Sequence, residues 1–328
     1  MTKTRTLGRS GIEVSALGMG CWAIGGPWSQ GDQPLGWGKV DDDESIRTVH
    51  RALDQGVTFF DTSSNYGAGH SERVLGKALA GVRDRVVIAS KFGYTFDEAT
   101  KRATGEDASE AYLRSCLDDS LRRIDTDYID LYQLHLGGLP IPQALDLIGP
   151  LEDLVAQGKI RAYGWSTDDP ERAAAFAAAG RHCTAIQVDL SLLRDNAAMV
   201  EVCEKQIQAG INRGPLAMGL LSGKYQQGLT VGSDDIRGRA PEWLSFFKDG
   251  VAVPEWAARV EAVRDVLTSG GRTLAQGALA WLWARSPMMV PIPGCRTVAQ
   301  AEENAGAMAF GPLSPAEFTE VELLARRS

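Results

Sequence analysis

Short apolar segments alternate with longer amphipathic segments along almost the whole chain. The short segments lack a clean apolar–polar alternation, which is typical of strands buried on both faces of a sheet. They predict eight strands, at Ala16–Gly20, Val57–Asp61, Val86–Ser90, Tyr128–Leu134, Ile160–Gly164, Ala185–Asp189, Gly210–Asn212 and Met289–Ile292. The seventh strand is weak in composition and is placed mainly by its position in the alternation.

The longer segments repeat apolar residues every three or four positions, which is the period of a helix with one buried face. They predict helices at Asp43–Gln55, Ser71–Leu79, Glu110–Leu121, Pro142–Gln157, from Asp169-Pro170 onward, and at Thr273–Ala284. Strands that alternate with helices indicate parallel βαβ units. Since eight such units favour closure, we predict an α/β fold, a (β/α)8 TIM barrel that forms one domain over residues 1–328.

Three features lie outside the eightfold repeat. The turn formed by residues 8–11 predicts an N-terminal β-hairpin that caps the bottom of the barrel. Two extra helices are predicted, at Pro254–Ser269 and Pro315–Arg326. The segment Leu221–Val253 is rich in Gly and Asp and predicts a long loop, and loops of this length inside a domain are usually functional.

Charge and cysteine usage exclude several classes of protein. The 328 residues carry a formal net charge of −8, which argues against nucleic acid as a partner. No polybasic block and no long apolar run is present, so no membrane partner is expected. The five cysteines are scattered and none forms C-x-x-C, so no disulfide framework or metal site is expected. This usage, with an N-terminus that lacks an apolar signal core, predicts a cytoplasmic protein with reduced thiols.

Polar residues follow the second, third and fourth predicted strands. Asp61 ends the second strand and Tyr66 lies five residues further on, while Lys91 follows the third strand and His135 the fourth. Barrel enzymes place their active sites at the C-terminal ends of the strands. The sequence therefore predicts that four ionisable side chains meet on one rim.

Each of these residues also has a plain structural explanation. Asp61 fits a turn cap, and Tyr66 fits a packing aromatic. Lys91 fits a partner of a surface carboxylate, and His135 fits a hydrogen-bonded core histidine. The coincidence of all four on consecutive strands favours a shared chemical role.

That role is reduction of a carbonyl group. A phenol with a pKa near 10 is a poor acid at neutral pH, and a neighbouring ammonium, Lys91, is expected to lower the pKa of Tyr66. Asp61 would hold Lys91 in place and keep it charged, while His135 would donate a hydrogen bond to the substrate carbonyl. Hydride would add to the carbonyl carbon while Tyr66 protonates the oxygen.

Three stretches resemble the signatures of the aldo-keto reductase family: FFDTSSNYGAGHSERVLGKAL, LEDLVAQGKIRAYGWST and VPIPGCRTVAQAEENAGA. The resemblance runs from Arg5 to about Ala307. It implies that the family's catalytic tetrad falls on Asp61, Tyr66, Lys91 and His135. It also implies an NADP-dependent alcohol dehydrogenase or carbonyl reductase that acts on a small aldehyde or ketone.

The resemblance further implies that NAD(P)H lies extended across the barrel mouth. Ser166 and Gln187 match positions that hold the nicotinamide carboxamide, and Thr167 stands where the family usually has Asn. Arg213 replaces a stacking aromatic, and a guanidinium plane can also stack on a ring. The positions that match the pyrophosphate and adenosine sites are Gly219, Leu220, Ser222, Lys224, Gly294, Arg296, Gln300, Glu303 and Asn304.

Arg296 decides the expected form of the cofactor. Its guanidinium group presents several N–H donors that can bind a 2′-phosphate. Arg296 also precedes the predicted helix Thr297–Ala307, and the N-terminus of a helix favours anions. These features favour NADPH over NADH. The alternative is that Arg296 is a solvated surface cation.

An aromatic-walled substrate pocket is expected at the same rim. Trp22 and Trp28 lie after the first strand and Phe92 after the third, and both loops open on the rim. Trp22 matches a pocket position of the family, whereas the others equally fit packing under a long loop.

Two other functions remain open. One is a nucleotide-binding regulatory subunit, since the potassium-channel β subunits resemble this family. The other is a Schiff-base aldolase that uses Lys91, because barrels also host that chemistry.

Overall fold

Eight parallel strands lie side by side in chain order in the computed structural model, which describes residues 4–225 and 229–327. The strands are Gly18–Gly20, Phe59–Asp61, Val87–Phe92, Ile129–Leu134, Ile160–Ser166, Cys183–Asp189, Ala209–Arg213 and Met289–Pro291. The first and eighth strands meet where Gly20 N donates to Pro293 O over 3.1 Å. This contact brings the ends of the sheet together, and the predicted (β/α)8 fold is confirmed.

The seventh strand, the weakest in the sequence, is well placed. Ala209–Arg213 pairs in parallel with both the sixth and the eighth strands. A Cβ at Gly210 would lie 2.4 Å from Met289 Cε, so the residue that weakens the strand pattern is the one that allows this close approach.

The helices cover the outside of the barrel. They are Asp42–Asp54, His70–Ala78, Glu110–Ile124, Ile141–Leu145, Ile148–Ala156, Pro170–Ala179, Ala197–Gln206, Pro254–Leu267, Leu274–Arg285, Val298–Phe310 and Pro315–Arg327. The two predicted extra helices are therefore present. In the described part of the chain, no helix is both long and apolar enough to cross a membrane.

One helix prediction is wrong, and one helix was not predicted. The segment Pro142–Gln157 is not one helix, because it is divided into Ile141–Leu145 and Ile148–Ala156. Pro150 lacks the N–H that would bond four residues back, which weakens the helix at this point. The sequence analysis also missed Ala197–Gln206, which begins where the Asn196 side chain accepts from Met199 N over 3.1 Å.

The N-terminal hairpin closes the bottom of the barrel, as predicted. Its strands, Thr4–Thr6 and Glu13–Ser15, pair antiparallel. Leu7, Ile12 and Val14 belong to the same buried cluster as the inward residues of the barrel strands. A second and larger cluster fills the layer between strands and helices.

Loops at the opposite end build the mouth of the barrel. A small sheet that the sequence analysis missed joins the loops after the first and third strands, in the order Gln33–Pro34, Ser29–Gln30, Arg102–Glu106, Tyr94–Asp97. The predicted long loop carries a short hairpin, Phe247–Lys248 with Val251–Ala252. It meets the loop after the first strand where Ile236 N donates to Gly36 O over 2.8 Å.

Candidate active site

Strand alternation brings polar side chains into the barrel mouth. Residues two apart on a strand point to the same face, so a polar residue two positions beyond an interior apolar residue also faces inward. Such pairs are Phe59 and Asp61, Ala89 and Lys91, Leu131 and Gln133, and Ala185 and Gln187. The four polar residues form one layer above the apolar interior of the barrel.

Lys91 joins three parts of this site. Its side chain is fully buried, and Nζ donates to Asp61 Oδ1 and to Thr62 O, each over 2.6 Å. Nζ also lies 3.4 Å from the hydroxyl oxygen of Tyr66. An ammonium has three N–H donors, so these contacts account for all of them. The predicted meeting of carboxylate, ammonium and phenol is present.

The pKa of Tyr66 differs from the expectation. Burial raises it above the ordinary value of tyrosine, and although Lys91 opposes this effect, Asp61 adds to it. Lys91 thus lowers the pKa of Tyr66 as expected, but the larger effect of burial makes the net shift upward. Asp61 also raises the pKa of Lys91 in spite of burial. At neutral pH both groups are protonated, and Tyr66 holds a proton that it can donate.

His135 completes the group. Its ring lies edge-on to Tyr66, with ring centroids 6.0 Å apart. Burial, with smaller effects of Lys91 and Arg213, holds the pKa of His135 well below its ordinary value, so the ring is neutral. A neutral imidazole has one N–H donor, and its position depends on the neighbours.

Ser63 governs which nitrogen of His135 carries the proton. Ser63 Oγ lies 3.1 Å from His135 Nδ1 and 2.5 Å from Asn65 Oδ1. A hydroxyl has a single hydrogen. When Ser63 donates it to Nδ1, the Nε2–H of His135 is free to donate to a carbonyl group. When Ser63 donates to Asn65, Nε2 becomes an acceptor.

Two glutamines complete the surroundings of Asp61. Oδ2 accepts from Gln187 Nε2 over 2.8 Å and from Gln133 Nε2 over 3.1 Å. Each oxygen of this buried carboxylate is therefore hydrogen-bonded. The sequence analysis missed Gln133, although strand alternation applied to Leu131 would have placed it in the mouth.

A cleft of about 1060 Å³ runs along the barrel mouth from Tyr66 and His135 to Arg296. Lys91 lies behind its wall. Twelve of the thirteen residues proposed for the cofactor line it: Ser166, Thr167, Gln187, Arg213, Gly219, Ser222, Lys224, Gly294, Arg296, Gln300, Glu303 and Asn304. Leu220 is the exception, because its side chain is buried in the hydrophobic core.

The nicotinamide end of the predicted site is held by internal hydrogen bonds. The Thr167 hydroxyl donates to Gly137 O over 2.8 Å, which uses its only hydrogen. Arg213 pairs with Asp168, and its Nη1 lies 3.7 Å from Asp189 Oδ2. These contacts fix Arg213 at the rim of the cleft.

The segment predicted to meet the pyrophosphate has a strained backbone. Ala217, Met218 and Gly219 have successive positive φ angles of 47°, 56° and 93°. Residues other than glycine rarely adopt such angles, and those that do cluster at ligand sites. A Cβ at Gly219 would lie 3.2 Å from the ring of Tyr225, so only glycine fits here without strain.

At the far end of the cleft, Arg296 donates to Trp37 O over 2.7 Å and to Lys39 O over 2.6 Å. Within residues 4–225 and 229–327, no carboxylate pairs with it. Arg296 N donates to Gln300 Oε1 over 2.8 Å. The guanidinium is thus positioned by carbonyl groups, and its charge is not neutralised by an ion pair.

Tryptophans line the end of the cleft where a substrate pocket was predicted. Trp22 stacks on Tyr66, with ring centroids 6.0 Å apart, and contacts Trp37 and Trp243 at 5.3 and 6.5 Å. Trp28, as predicted, also lines the cleft. Trp243 comes from the long loop and is 51% exposed. The sequence analysis missed Trp243, because nothing near it in the chain relates it to the first strand.

The assignment of Phe92 to the pocket is wrong. Phe92 is fully buried, does not line the cleft, and stacks on Tyr132 with ring centroids 4.9 Å apart. It follows Lys91 directly on a strand, so its side chain points to the opposite face, toward the helices. Tyr94, two residues further on, lines the cleft and lies edge-on to His135 with ring centroids 5.0 Å apart.

Arg237 links the long loop to the other loops of the barrel mouth. It forms a two-pronged ion pair with Asp235, at 2.9 and 2.8 Å, and donates to Met218 O over 3.1 Å. Its guanidinium lies 4.6 Å from the centre of the Trp37 ring. One buried cation thus links the long loop, the strained segment and the tryptophan wall.

Known proteins are similar to this chain in sequence and in fold. Residues 16–326 match the model of the Aldo/keto reductase family. The chain is 31% identical over 302 residues to the aldo-keto reductase YhdN of Bacillus subtilis, which covers 89% of this chain and 85% of that protein.

Two solved structures are similar over almost their whole length. One is the glycerol dehydrogenase AKR11B4 from Gluconobacter oxydans, with a TM-score of 0.81 and 30% identity over 99% of this chain and 95% of that one. The other is an aldo/keto reductase from Klebsiella pneumoniae in complex with NADP and acetate, with a TM-score of 0.71 and 26% identity over 99% and 96%. From the family match and this similarity, we conclude that the chain belongs to the aldo/keto reductase family.

Proposed function

We propose that this protein reduces an aldehyde or ketone to an alcohol with NADPH, and that Tyr66 is the general acid. One observation carries the proposal: the Lys91 ammonium, buried behind the cleft wall, contacts both Asp61 and the Tyr66 hydroxyl. Tyr66 itself lines the cleft. A protonated phenol beside a fixed positive charge can donate its proton and then remain as a stabilised phenolate.

NADPH fits the cleft described above. The strained segment around Gly219 suits a diphosphate, and Arg296 suits a 2′-phosphate because no described carboxylate neutralises it. The similar Klebsiella structure holds NADP. Ser166, Gln187 and Arg213 would hold the nicotinamide. When bound, NADPH supplies the hydride that reduces the carbonyl carbon.

The protein's own residues handle the proton. Tyr66 donates its hydroxyl proton to the carbonyl oxygen, which gives the alcohol and leaves a phenolate that water later reprotonates. Lys91 stabilises the phenolate, and Asp61 keeps Lys91 charged. For neutral His135 to donate from Nε2 to the carbonyl and orient it, Ser63 must turn its single hydrogen from Asn65 Oδ1 to His135 Nδ1.

The same charges argue against a Schiff-base mechanism. An aldolase lysine must be a neutral amine to attack a carbonyl, whereas Asp61 raises the pKa of Lys91. Lys91 also lies behind the wall of the cleft.

A panel of aldehydes and ketones tests the proposal, with loss of NADPH absorbance as the signal. Tyr66→Phe should lower kcat by about 10²- to 10⁴-fold, the usual value of a general acid, and should leave NADPH affinity nearly unchanged. Tyr112→Phe, which removes a hydroxyl that donates to Tyr94 O, is the matched control. NADPH binding without turnover across the panel would instead support the regulatory-subunit function.

A further inference from the structure

Gln133 is a buried polar residue that no step above uses. It lies on the fourth strand, directly beside Lys91 of the third strand in the register of the sheet. Its side chain is fully buried. A buried amide must find partners for its donors and its acceptor, and those partners show what Gln133 does.

The first partner is the carboxylate that holds Lys91. Gln133 Nε2 donates to Asp61 Oδ2 over 3.1 Å, on the oxygen opposite the one that Lys91 contacts. A hydrogen bond to a carboxylate stabilises its ionised form. Without it, Oδ2 would keep only the bond from Gln187, although Asp61 is almost fully buried.

The second partner is Gln187. Gln187 Nε2 lies 2.8 Å from Asp61 Oδ2 and 3.3 Å from Gln133 Oε1. Both N–H groups of the Gln187 amide therefore face the interior of the barrel. Among the described residues, no donor contacts Gln187 Oε1, and Gln187 lines the cleft. Gln133 thus fixes which end of the Gln187 amide faces the cofactor site.

We propose that Gln133 is a positioning residue that couples the proton donor to the cofactor site. Through Asp61 it keeps Lys91 aimed at Tyr66, and through Gln187 it presents a carbonyl oxygen to an amide N–H of the nicotinamide carboxamide. This inference rests on the proposed function for the identity of the cofactor. The arrangement explains why a side chain with both a donor and an acceptor stands at this point.

The ionisable groups that surround Asp61 set the expected pH behaviour. Lys91, Tyr66 and Cys21 interact with its charge directly. His135 and Arg213 lie further out, where they act on Lys91 or Tyr66. Removal of the Gln133 amide takes away one of the hydrogen bonds to Asp61, so the charge of Asp61 is less compensated and acts more strongly on Tyr66 and Lys91.

Gln133→Leu tests the proposal, because leucine fills a similar volume without polar atoms. We expect kcat to fall about tenfold, the effect of one hydrogen bond to a charged group, with little change in the KM of the carbonyl substrate. The kcat–pH profile should also differ from that of the wild type, because the less compensated charge of Asp61 acts on Tyr66. NADPH should also bind several-fold more weakly to the variant in the absence of substrate.

Gln208→Leu is the matched control. Gln208 is another fully buried glutamine, but its amide donates to Cys183 O over 3.1 Å, away from the site. Equal losses in both variants, with the pH profile of the wild type, would show that Gln133 only packs and would overturn the proposal.

Gln133→Glu tests the donor itself. A carboxyl group at this position donates to Asp61 only while it is protonated. Activity relative to the wild type should therefore be highest at low pH and should fall as the new group ionises beside Asp61. A constant ratio across the pH range would contradict the proposed contact.

An apoprotein measurement separates this inference from the proposed function. The pKa of Tyr66 is obtained from ultraviolet titration, as the difference between a protein and its Tyr66→Phe partner. It should be higher in Gln133→Leu than in the wild type, because Asp61 opposes the phenolate more strongly. An unchanged pKa of Tyr66 would contradict the inference even if carbonyl reduction is confirmed. The expected rise would support the inference even if no carbonyl is reduced.

Discussion

The proposed catalytic centre and the proposed substrate mouth of this protein are built in opposite ways. Asp61 and Lys91 lie on neighbouring strands, are buried, and bond to each other directly. Trp22, Trp37 and Trp243 come from loops, and Trp243 is half exposed. The sheet thus fixes the proposed pair of catalytic charges, while the proposed substrate contacts come from loops that meet across the mouth. Loops carried by a rigid scaffold commonly have this role.

The strongest test of this comparison is Lys91→Met. Loss of the ammonium should lower kcat by about 10²- to 10⁴-fold, because the phenolate loses its counter-charge. It also leaves Asp61 buried without its cation, which should reduce the free energy of unfolding by about 3–5 kcal/mol. Steady-state kinetics and denaturant unfolding measure the two effects.

The double variant Asp61→Asn with Lys91→Met is the control for stability. It removes both charges, so much of the free energy of unfolding should return while kcat stays low. Recovery of kcat together with stability would show that Lys91 acts on folding and not on the reaction.

Arg296→Ala tests the far end of the cleft. We expect the KM for NADPH to rise by about 10- to 100-fold, since a hydrogen bond to a charged group is lost, and the KM for NADH to change little. Arg285→Ala, which removes a surface partner of Asp195, is the control. Equal changes for both nucleotides would contradict a 2′-phosphate contact.

Trp243→Ala probes the mouth. Loss of one aromatic contact should raise the KM for aromatic aldehydes by about three- to tenfold and leave kcat near that of the wild type. The matched control is Leu323→Ala, since Leu323 is equally exposed on the C-terminal helix. A large fall in kcat would show that the mouth and the catalytic centre are not separable.

The smallest expected effect is that of pH on reduction near neutrality. Tyr66 must be protonated to act, and its raised pKa keeps it so until pH exceeds the ordinary tyrosine value. His135 is neutral because its pKa is lowered, so it adds no step in the usual histidine range. The kcat for reduction should change less than about twofold between about pH 6 and 8 and should fall only under strongly alkaline conditions. A tenfold step near the ordinary histidine pKa would contradict this account.

Strand alternation explains both the successes and one failure of the sequence analysis. Asp61 and Lys91 were placed together because parallel strands end at the same rim, and alternation explains why both point inward. Phe92 was assigned to the pocket as part of the loop after the third strand, but it lies on that strand, and alternation directs it to the other face. Alternation also predicts that Gln133 points into the barrel mouth. Its hydrogen bond to Asp61, however, is known only from the structure.

The sequence by itself determined the barrel and the identity of the groups that meet at its rim, because hydrophobic periodicity and strand polarity are local properties of the chain. Only the tertiary structure decided that Trp243 lies beside Trp22 and that Arg213 pairs with Asp168. It also decided the direction of the Tyr66 pKa shift. These outcomes depend on burial and on distances between residues far apart in the chain, and a local pattern contains neither.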